Sequence, residues 1–382
     1  MDFAITKKQQ ELQERAREAI TRAVEPLARQ VPDGGKLGAE EMRTLYRGLA
    51  PLGYLGSTIP ESEGGAGLAY VDYGLLLEAL AHGPIVLGEI VPPRTIAYLG
   101  TREQKARWLP RLLAGDWSST AAITEPQAGS DVRGLQAAAV LEGDHFRLTG
   151  RKKWIKLGGV ADLITCLVVS DPARGAKGGT SRLVLERAVS PWRSTELPSV
   201  GIRNLSYAEL DLDGVRVPRE NLIGETGAGT DAFNRGIEAS RPLVGMQAVG
   251  LAAHALDTAI AYARTRVAFG RPLARFQAIQ TALADAAAEL DAARFLCLRA
   301  LWMLDQGKRC PREASMGKVF ATEAAVRICH VAMDTMGAFG LAEDAGVERC
   351  WRDARMLTVI DGASGIQRLI VGRELCGAPA FV

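Results

Sequence analysis

Near the C-terminal end the sequence reads "IDGASGIQR", residues 360–368, a carboxylate set among small residues directly after the arginine-rich run "ERCWRDARMLTV". A carboxylate in such a loop can act as a general base if its setting is apolar enough to raise its basicity. Gly362 beside it lets backbone and ligand approach closely. Further up the chain, "AITEPQAGSD" (residues 122–131) offers the hydroxyls of Thr124 and Ser130 and the open backbone at Gly129. Such groups bond the edge of a heteroaromatic ring or a phosphate, although a plain polar turn around Pro126 reads equally well. Trp154, in "GRKKWIKLGG", presents a large flat apolar face, suited to a planar ligand or to a core.

Other chemistries find little support. The 382 residues carry 46 basic and 44 acidic side chains, a formal charge of +2, so no concentrated basic surface points to nucleic acid. The continuous apolar runs fall short of the roughly 20 residues of a membrane span, and "MDFAITKKQQELQER" lacks the apolar core of a signal peptide. Six cysteines are scattered without a CxxC pair and the four histidines, His82, His145, His254 and His330, do not pair at ligand spacing. No metal site and no disulfide framework are expected, and a reducing cytoplasm is the default.

The elements that must position these groups change character twice. Thr6-Lys-Lys-Gln9 has the pattern of a capping box, and the stretch after it is rich in helix formers. Residues 1–117 read as a helical segment. From 118 to 225 the sequence turns to short β-branched runs, "DHFRLTG", "DLITCLVVS", "SRLVLERA" and "AELDLDGVRV". In the last, Ala208, Leu210 and Leu212 share one strand face and Glu209, Asp211 and Asp213 the other. From 226 to 382 the helical period returns, with Ala253, Leu256, Ile260, Ala263 and Val267 on one stripe. Helices, strands and helices again imply an α+β chain with the β module as a separate layer.

In order and spacing these blocks resemble the acyl-CoA dehydrogenases. "AITEPQAGSD" and "GDHFRLTGRKKWIKLGGVAD" are similar to that family's flavin-contacting segments, "VRVPRENLIGETGAG" to its exit from the β domain, "RTRVAFGRPLARFQAIQTALADAA" to its Arg-x-x-Phe-Gly-x-Pro-Leu helix pair and "ERCWRDARMLTVIDGASGIQR" to its closing signature. The resemblance implies an all-helical first domain, a middle β-barrel-like domain and a C-terminal four-helix bundle, assembled as a homotetramer or homodimer, with a heteromer as an alternative. It implies FAD as cofactor, an acyl-CoA or acyl-carrier-protein thioester as substrate, and an electron-transfer flavoprotein as acceptor. Thr124, Gly129, Ser130, Trp154, Lys156 and Ala363 would lie at the flavin. Arg266, Phe269 and Gln277, with Asp334 and Gly337 close by, would serve the adenine and pyrophosphate held with a neighbouring subunit. Ser130, Glu238, Arg241 and Gly362 would meet the substrate, and Asp361 would be the base that removes the proton next to the thioester carbonyl.

Several positions depart from the family pattern. Asp361 stands where glutamate is usual, and one methylene less retracts its oxygens by about 1 Å, a displacement that can cost roughly 100-fold in rate. Ala363 and Gly365 are smaller than their usual counterparts. Lys156 replaces a threonine and either faces the flavin or points to solvent. Asp334 puts a negative charge in a pyrophosphate region unless a cation offsets it. Ser240 stands where a subset of the family carries an alternative glutamate base, and Glu89 reads as a structural or solvated acid. The expected activity is α,β-desaturation of a branched, alicyclic or otherwise non-standard acyl thioester. A non-catalytic subunit of a heteromer and an oxidase or monooxygenase on the same fold are the alternatives.

Overall fold

Thr6 opens the first helix as the sequence pattern requires. Its hydroxyl accepts from the Gln9 amide while the Gln9 side chain accepts from the Thr6 amide. The computed structural model describes residues 4–31, 35–175 and 178–378; the outer limits of the first and third segments, residues 1–3 and 379–382, lie outside the described residues. The first segment comprises α1 (Lys7–Ala19), α2 (Glu25–Gln30), α3 (Ala39–Leu49), α4 (Tyr70–Leu80), α5 (Val91–Leu99) and α6 (Arg102–Leu113). Helix α6 repeats the capping box with Thr101 and Gln104.

Ten strands come next, β1 (Ser119–Ala122), β2 (Ala138–Glu142), β3 (His145–Thr149), β4 (Arg151–Lys156), β5 (Leu163–Val169), β6 (Thr180–Glu186), β7 (Arg193–Glu196), β8 (Tyr207–Asp211), β9 (Arg216–Pro218) and β10 (Leu222–Ile223). One sheet runs β10-β6-β5-β2-β3-β9 with β1 alongside β5, and a second runs β4-β8-β7. The alternation read in the sequence holds, since Ala208, Leu210 and Leu212 are buried and Asp213 is exposed.

The third segment consists of α7 (Gly229–Thr265), a hairpin of β11 (Val267–Ala268) and β12 (Arg271–Pro272), then α8 (Gln277–Asp305), α9 (Pro311–Met336), α10 (Val347–Leu357) and α11 (Ser364–Cys376). Helix α7 approaches its neighbours through glycines. A Cβ on Gly245 would stand 2.4 Å from Cys297 Sγ of α8, and one on Gly250 would stand 2.2 Å from the Glu78 carbonyl of α4. The apolar core is therefore continuous from α1 and α4 through the strands to α7, α8 and α9. One expectation is corrected: Val267 does not belong to the buried stripe. Helix α7 ends at Thr265, and the chain turns into the hairpin through left-handed Phe269 and Gly270, leaving Val267 exposed. By length and composition α7 could cross a membrane, but 78% of its most apolar window is buried inside the protein.

His82 and His254 meet edge to face between α4 and α7, ring centroids 5.7 Å apart. Burial lowers both pKa values, that of His254 to about 4 with His82 adding to the effect. An unfolded histidine titrates near 6.5, so between about pH 6.5 and 4 the unfolded chain holds more protons and stability falls as pH falls. His254→Phe is expected to lose less stability than the parent across that window, measured by urea denaturation at both ends; equal losses would refute the assignment.

Candidate active site

The loop joining α10 to α11 carries Asp361 in a left-handed conformation (φ 54°), with Gly362 after it at φ 101°. A Cβ on Gly362 would stand 2.5 Å from Gln367 Nε2, and the residue bearing it would have to adopt a positive φ, so a side chain here would displace Gln367 and strain the backbone. Two side chains hold the loop from beneath. Lys318 of α9, fully buried, donates to the carbonyls of Thr358 (3.0 Å) and Gly362 (2.8 Å). Gln367 of α11 donates to the carbonyls of Asp361 (2.9 Å) and Gly362 (3.0 Å). Burial lowers the Lys318 ammonium to about 8, while Asp361 acts in the opposite sense.

The Asp361 carboxylate itself makes no hydrogen bond or ion pair among the described residues. Its pKa is raised, first by burial and then by the charge of Glu89, against the opposing fields of Lys318, Lys156 and Arg241. The Nε of Arg241 is buried without a hydrogen-bond partner among the described residues, and burial lowers the pKa of this guanidinium too, with Asp361 opposing. Lys156 is not solvated at the surface. A Cβ on Gly88 would stand 3.3 Å from its Nζ and 3.0 Å from Gln247 Oε1, so the ammonium lies against the wall formed by Gly88 and α7. Across the strands Lys156 pairs with Tyr207, whose hydroxyl feels the charge of Asp361.

The second wall is built by a buried ion pair absent from the sequence expectations. Lys152 donates to Glu125 Oε1 (2.7 Å) and to the Ile123 carbonyl (3.0 Å), and Glu125 accepts from the amides of Gln136 and Ala137. Neither side chain of the pair is more than 1% exposed, and together they fix the loop that bears Thr124, Gly129 and Ser130. Between Lys152 and Ile155 the β4–β8 register shifts, and Trp154 takes φ 60°. This bulge turns the indole out of the sheet and leaves it 49% exposed. Gly129 has open space where a Cβ would stand.

A separate cleft of about 640 Å³ collects Arg266, Asp334 and Gly337 with Tyr262, Met336 and Phe339. Tyr262 and Phe339 stack at 5.4 Å. Asp334 pairs with His330 Nε2 at 3.4 Å, which supplies a cation for its carboxylate when that histidine is protonated. Phe269, at the hairpin tip next to this region, is 95% exposed, and Gln277 opens α8 with its side chain exposed. Ala363 is half-buried, directly before α11.

Glu238 has a structural task. Its oxygens accept from the Cys310 amide (2.6 Å) and from Arg309 Nη2 (2.7 Å), closing the start of α9. Glu89 is buried rather than solvated. It pairs with Arg94 at 2.7 Å and accepts from Ser240 Oγ at 2.5 Å. The serine thus binds the side chain that stands across from the Asp361 loop. The spacing Glu89-Arg94 around Pro92 and Pro93 is a local signal for this pair; no comparable signal marks Lys318 or Glu125.

An unpartnered carboxylate of raised pKa, an outward indole and a glycine-bearing loop of hydroxyls suit acid–base chemistry beside a planar cofactor, and the comparisons give the class, an oxidoreductase acting on CH–CH groups. The sequence models of the acyl-CoA dehydrogenase N-terminal, middle and C-terminal domains match residues 6–116, 120–215 and 227–376, and the chain belongs to the acyl-CoA dehydrogenase family. It is 34% identical over 372 residues to the short-chain specific acyl-CoA dehydrogenase of Bos taurus mitochondria, covering 96% of this chain and 89% of the relative. The glutaryl-coenzyme A dehydrogenase complex with glutaryl-CoA superposes with TM-score 0.91 at 30% identity, covering 99% of this chain and 97% of the other. The prolyl acyl carrier protein oxidase AnaB does so with TM-score 0.89 at 27% identity, covering 97% and 100%. The family's reaction is FAD-dependent dehydrogenation of acyl thioesters, and an FAD complex is among the similar structures.

The residues present fit that cofactor. The outward Trp154 ring, the open face at Gly129 and the orphaned Arg241 Nε are features that the chain leaves incomplete. Lys318→Met tests the loop's support. It removes both donors to the Thr358 and Gly362 carbonyls, and denaturant titration is expected to show a loss of about 1–3 kcal/mol; an unchanged midpoint would show that the clamp is dispensable.

Proposed function

We propose that the protein desaturates an acyl thioester between its α and β carbons, with Asp361 as the base, and that the acyl group departs from a plain linear chain. The observation that carries the assignment is the state of Asp361, a half-buried carboxylate with raised pKa and no partner of its own among the described residues. Arg241 and Lys156 flank it closely enough to act on its charge, so positive potential awaits the enolate that forms as the α-proton leaves. Bound FAD supplies the hydride acceptor. Thr124, Gly129, Ser130, Trp154 and Ala363 would hold the flavin, and Arg241 with the backbone at Gly362 would orient the thioester. The left-handed backbone at Asp361 and the clamp by Lys318 and Gln367 fix where the shortened side chain points. The shorter Asp361 and the small residues Ala363 and Gly365 leave room for an acyl group that is branched, alicyclic or otherwise non-standard.

Arg266, Phe269, Gln277, Asp334 and Gly337 would complete the cofactor's adenine end together with a second copy of the chain, in a homotetramer or homodimer. The nearly full exposure of Phe269 supports this reading, since a lone aromatic side chain at a hairpin tip gains by burial in a partner. An electron-transfer flavoprotein would take up the electrons, and the thioester would be carried by coenzyme A or an acyl carrier protein.

Anaerobic mixing of the FAD-loaded protein with acyl thioesters is expected to bleach the flavin, and Asp361→Asn to abolish the bleaching while FAD stays bound. Retained bleaching in that variant would remove Asp361 from the mechanism. Because the base must be deprotonated and its pKa is raised, the bleaching rate is expected to fall on the acid side at a pH above the ordinary carboxylate range near 3.8. A rate flat down to pH 4 would contradict the environment described.

A further inference from the structure

We propose, on the reading of Asp361 as the base, that Asp353 is a positioning residue for the desaturation: by tying the β module to helix α10 it fixes the distance between the base and the flavin. The reaction demands such a device. The α C–H gives its proton to Asp361, the β C–H gives a hydride to FAD, and the carbon–carbon double bond forms, so the two acceptors must reach neighbouring carbons of one substrate. Asp361 is borne by the loop after α10, whereas Trp154 and the loop of Thr124, Gly129 and Ser130, which would hold the flavin, belong to the β module. Their separation depends on contacts between the two.

Asp353 makes such a contact close to the base. Its side chain is buried, Oδ1 accepts from the Ile202 amide at 2.5 Å and Oδ2 accepts from Arg349 at 3.2 Å. Arg349 lies one turn earlier on α10 and holds the carboxylate against turning away. Ile202 presents its amide from a left-handed backbone, φ 52°, in the segment between β7 and β8. Gly201, just before it, meets α10 backbone to backbone. A Cβ there would stand 2.3 Å from the Arg352 carbonyl oxygen and 2.8 Å from the Asp353 amide nitrogen.

Both sides of this junction lead to the chemistry. On one side α10 ends at Leu357 and the loop to Asp361 follows. On the other the chain enters β8, which pairs with β4 through Ala208 and Ile155 and through Tyr207 and Lys156, directly after Trp154. The Tyr207 hydroxyl feels the charges of Asp353 and of Asp361, so β8 lies within reach of both ends of the connection. The thioester would be held from the side of the base, by Arg241 and the backbone at Gly362. A slackened junction therefore spoils hydride transfer more than proton removal.

The test incubates the FAD-loaded protein anaerobically in deuterium oxide with butyryl-CoA, isobutyryl-CoA and cyclohexanecarboxyl-CoA, and follows bleaching of the flavin and deuterium uptake at the α carbon. In Asp353→Ala and in Gly201→Ala, bleaching is expected to slow by about tenfold or more, the scale of a sub-ångström to 1 Å misplacement. Deuterium uptake per flavin reduced should rise by about fivefold or more, while FAD affinity, read from flavin fluorescence, stays at the parent value. Asp353→Asn, whose amide oxygen can still accept from Ile202, should keep the parent ratio. Gly201→Ala leaves every carboxylate in place, so it separates spacing from charge. An unchanged ratio in Gly201→Ala, or FAD affinity lost in step with bleaching in both variants, overturns the proposal and leaves the desaturation reading intact. Bleaching of the parent by none of the three thioesters overturns that reading, and this proposal with it.

Discussion

A carboxylate that must take a proton from carbon has to be kept from the cations that would otherwise satisfy it. Around Asp361, the base of the proposed reaction, Lys318 is committed elsewhere. Lys318 spends its donors on the carbonyls of Thr358 and Gly362, so its charge is felt by the base but does not bind it. Glu89 works from the other side, raising the basicity of Asp361 while its own charge is held by Arg94. The loop's left-handed backbone and the crowded position at Gly362 meet the same requirement. The side chain must project from a fixed point, because an aspartate has too few torsions to correct a misplaced backbone.

The opposite wall obeys a related rule. The buried Lys152–Glu125 pair is satisfied almost completely by backbone groups and by each other, the condition under which an interior ion pair is tolerable. It ties the loop of Thr124 and Ser130 to strand β4. The bulge one residue further on then decides which side chains of β4 face inward, which is why Trp154 is exposed and Lys156 reaches the Gly88 wall.

Much of this is legible in the sequence wherever the signal is local. The Thr6 capping box, the alternation of Ala208, Leu210 and Leu212, and the helix-strand-helix order all depend on neighbours within a few residues, and the structure carries each of them. The apolar stripe breaks before Val267 because a helix end is set by the residues beyond it, here a hairpin with two left-handed positions. The direction of Lys156 is hidden from sequence because strand alternation predicts a face only while the register is regular, and the shift between Lys152 and Ile155 breaks it. Lys318 and Glu125 carry no local signal, since their partners lie 44 and 27 residues away, distances at which composition and spacing say nothing about contact. Glu238, expected at the substrate, is engaged by Arg309 and the start of α9 for the same reason.

The close approach of α7 to α4 and α8 through Gly250 and Gly245 has a further consequence. The three regions told apart by composition share one continuous interior, so they are not exchangeable modules. Grafting the strand region of one homologue onto the helices of another would expose apolar faces that fit only their own counterpart. Substrate preference in such a chain is therefore changed more readily by single side chains around the Asp361 loop than by exchange of whole segments.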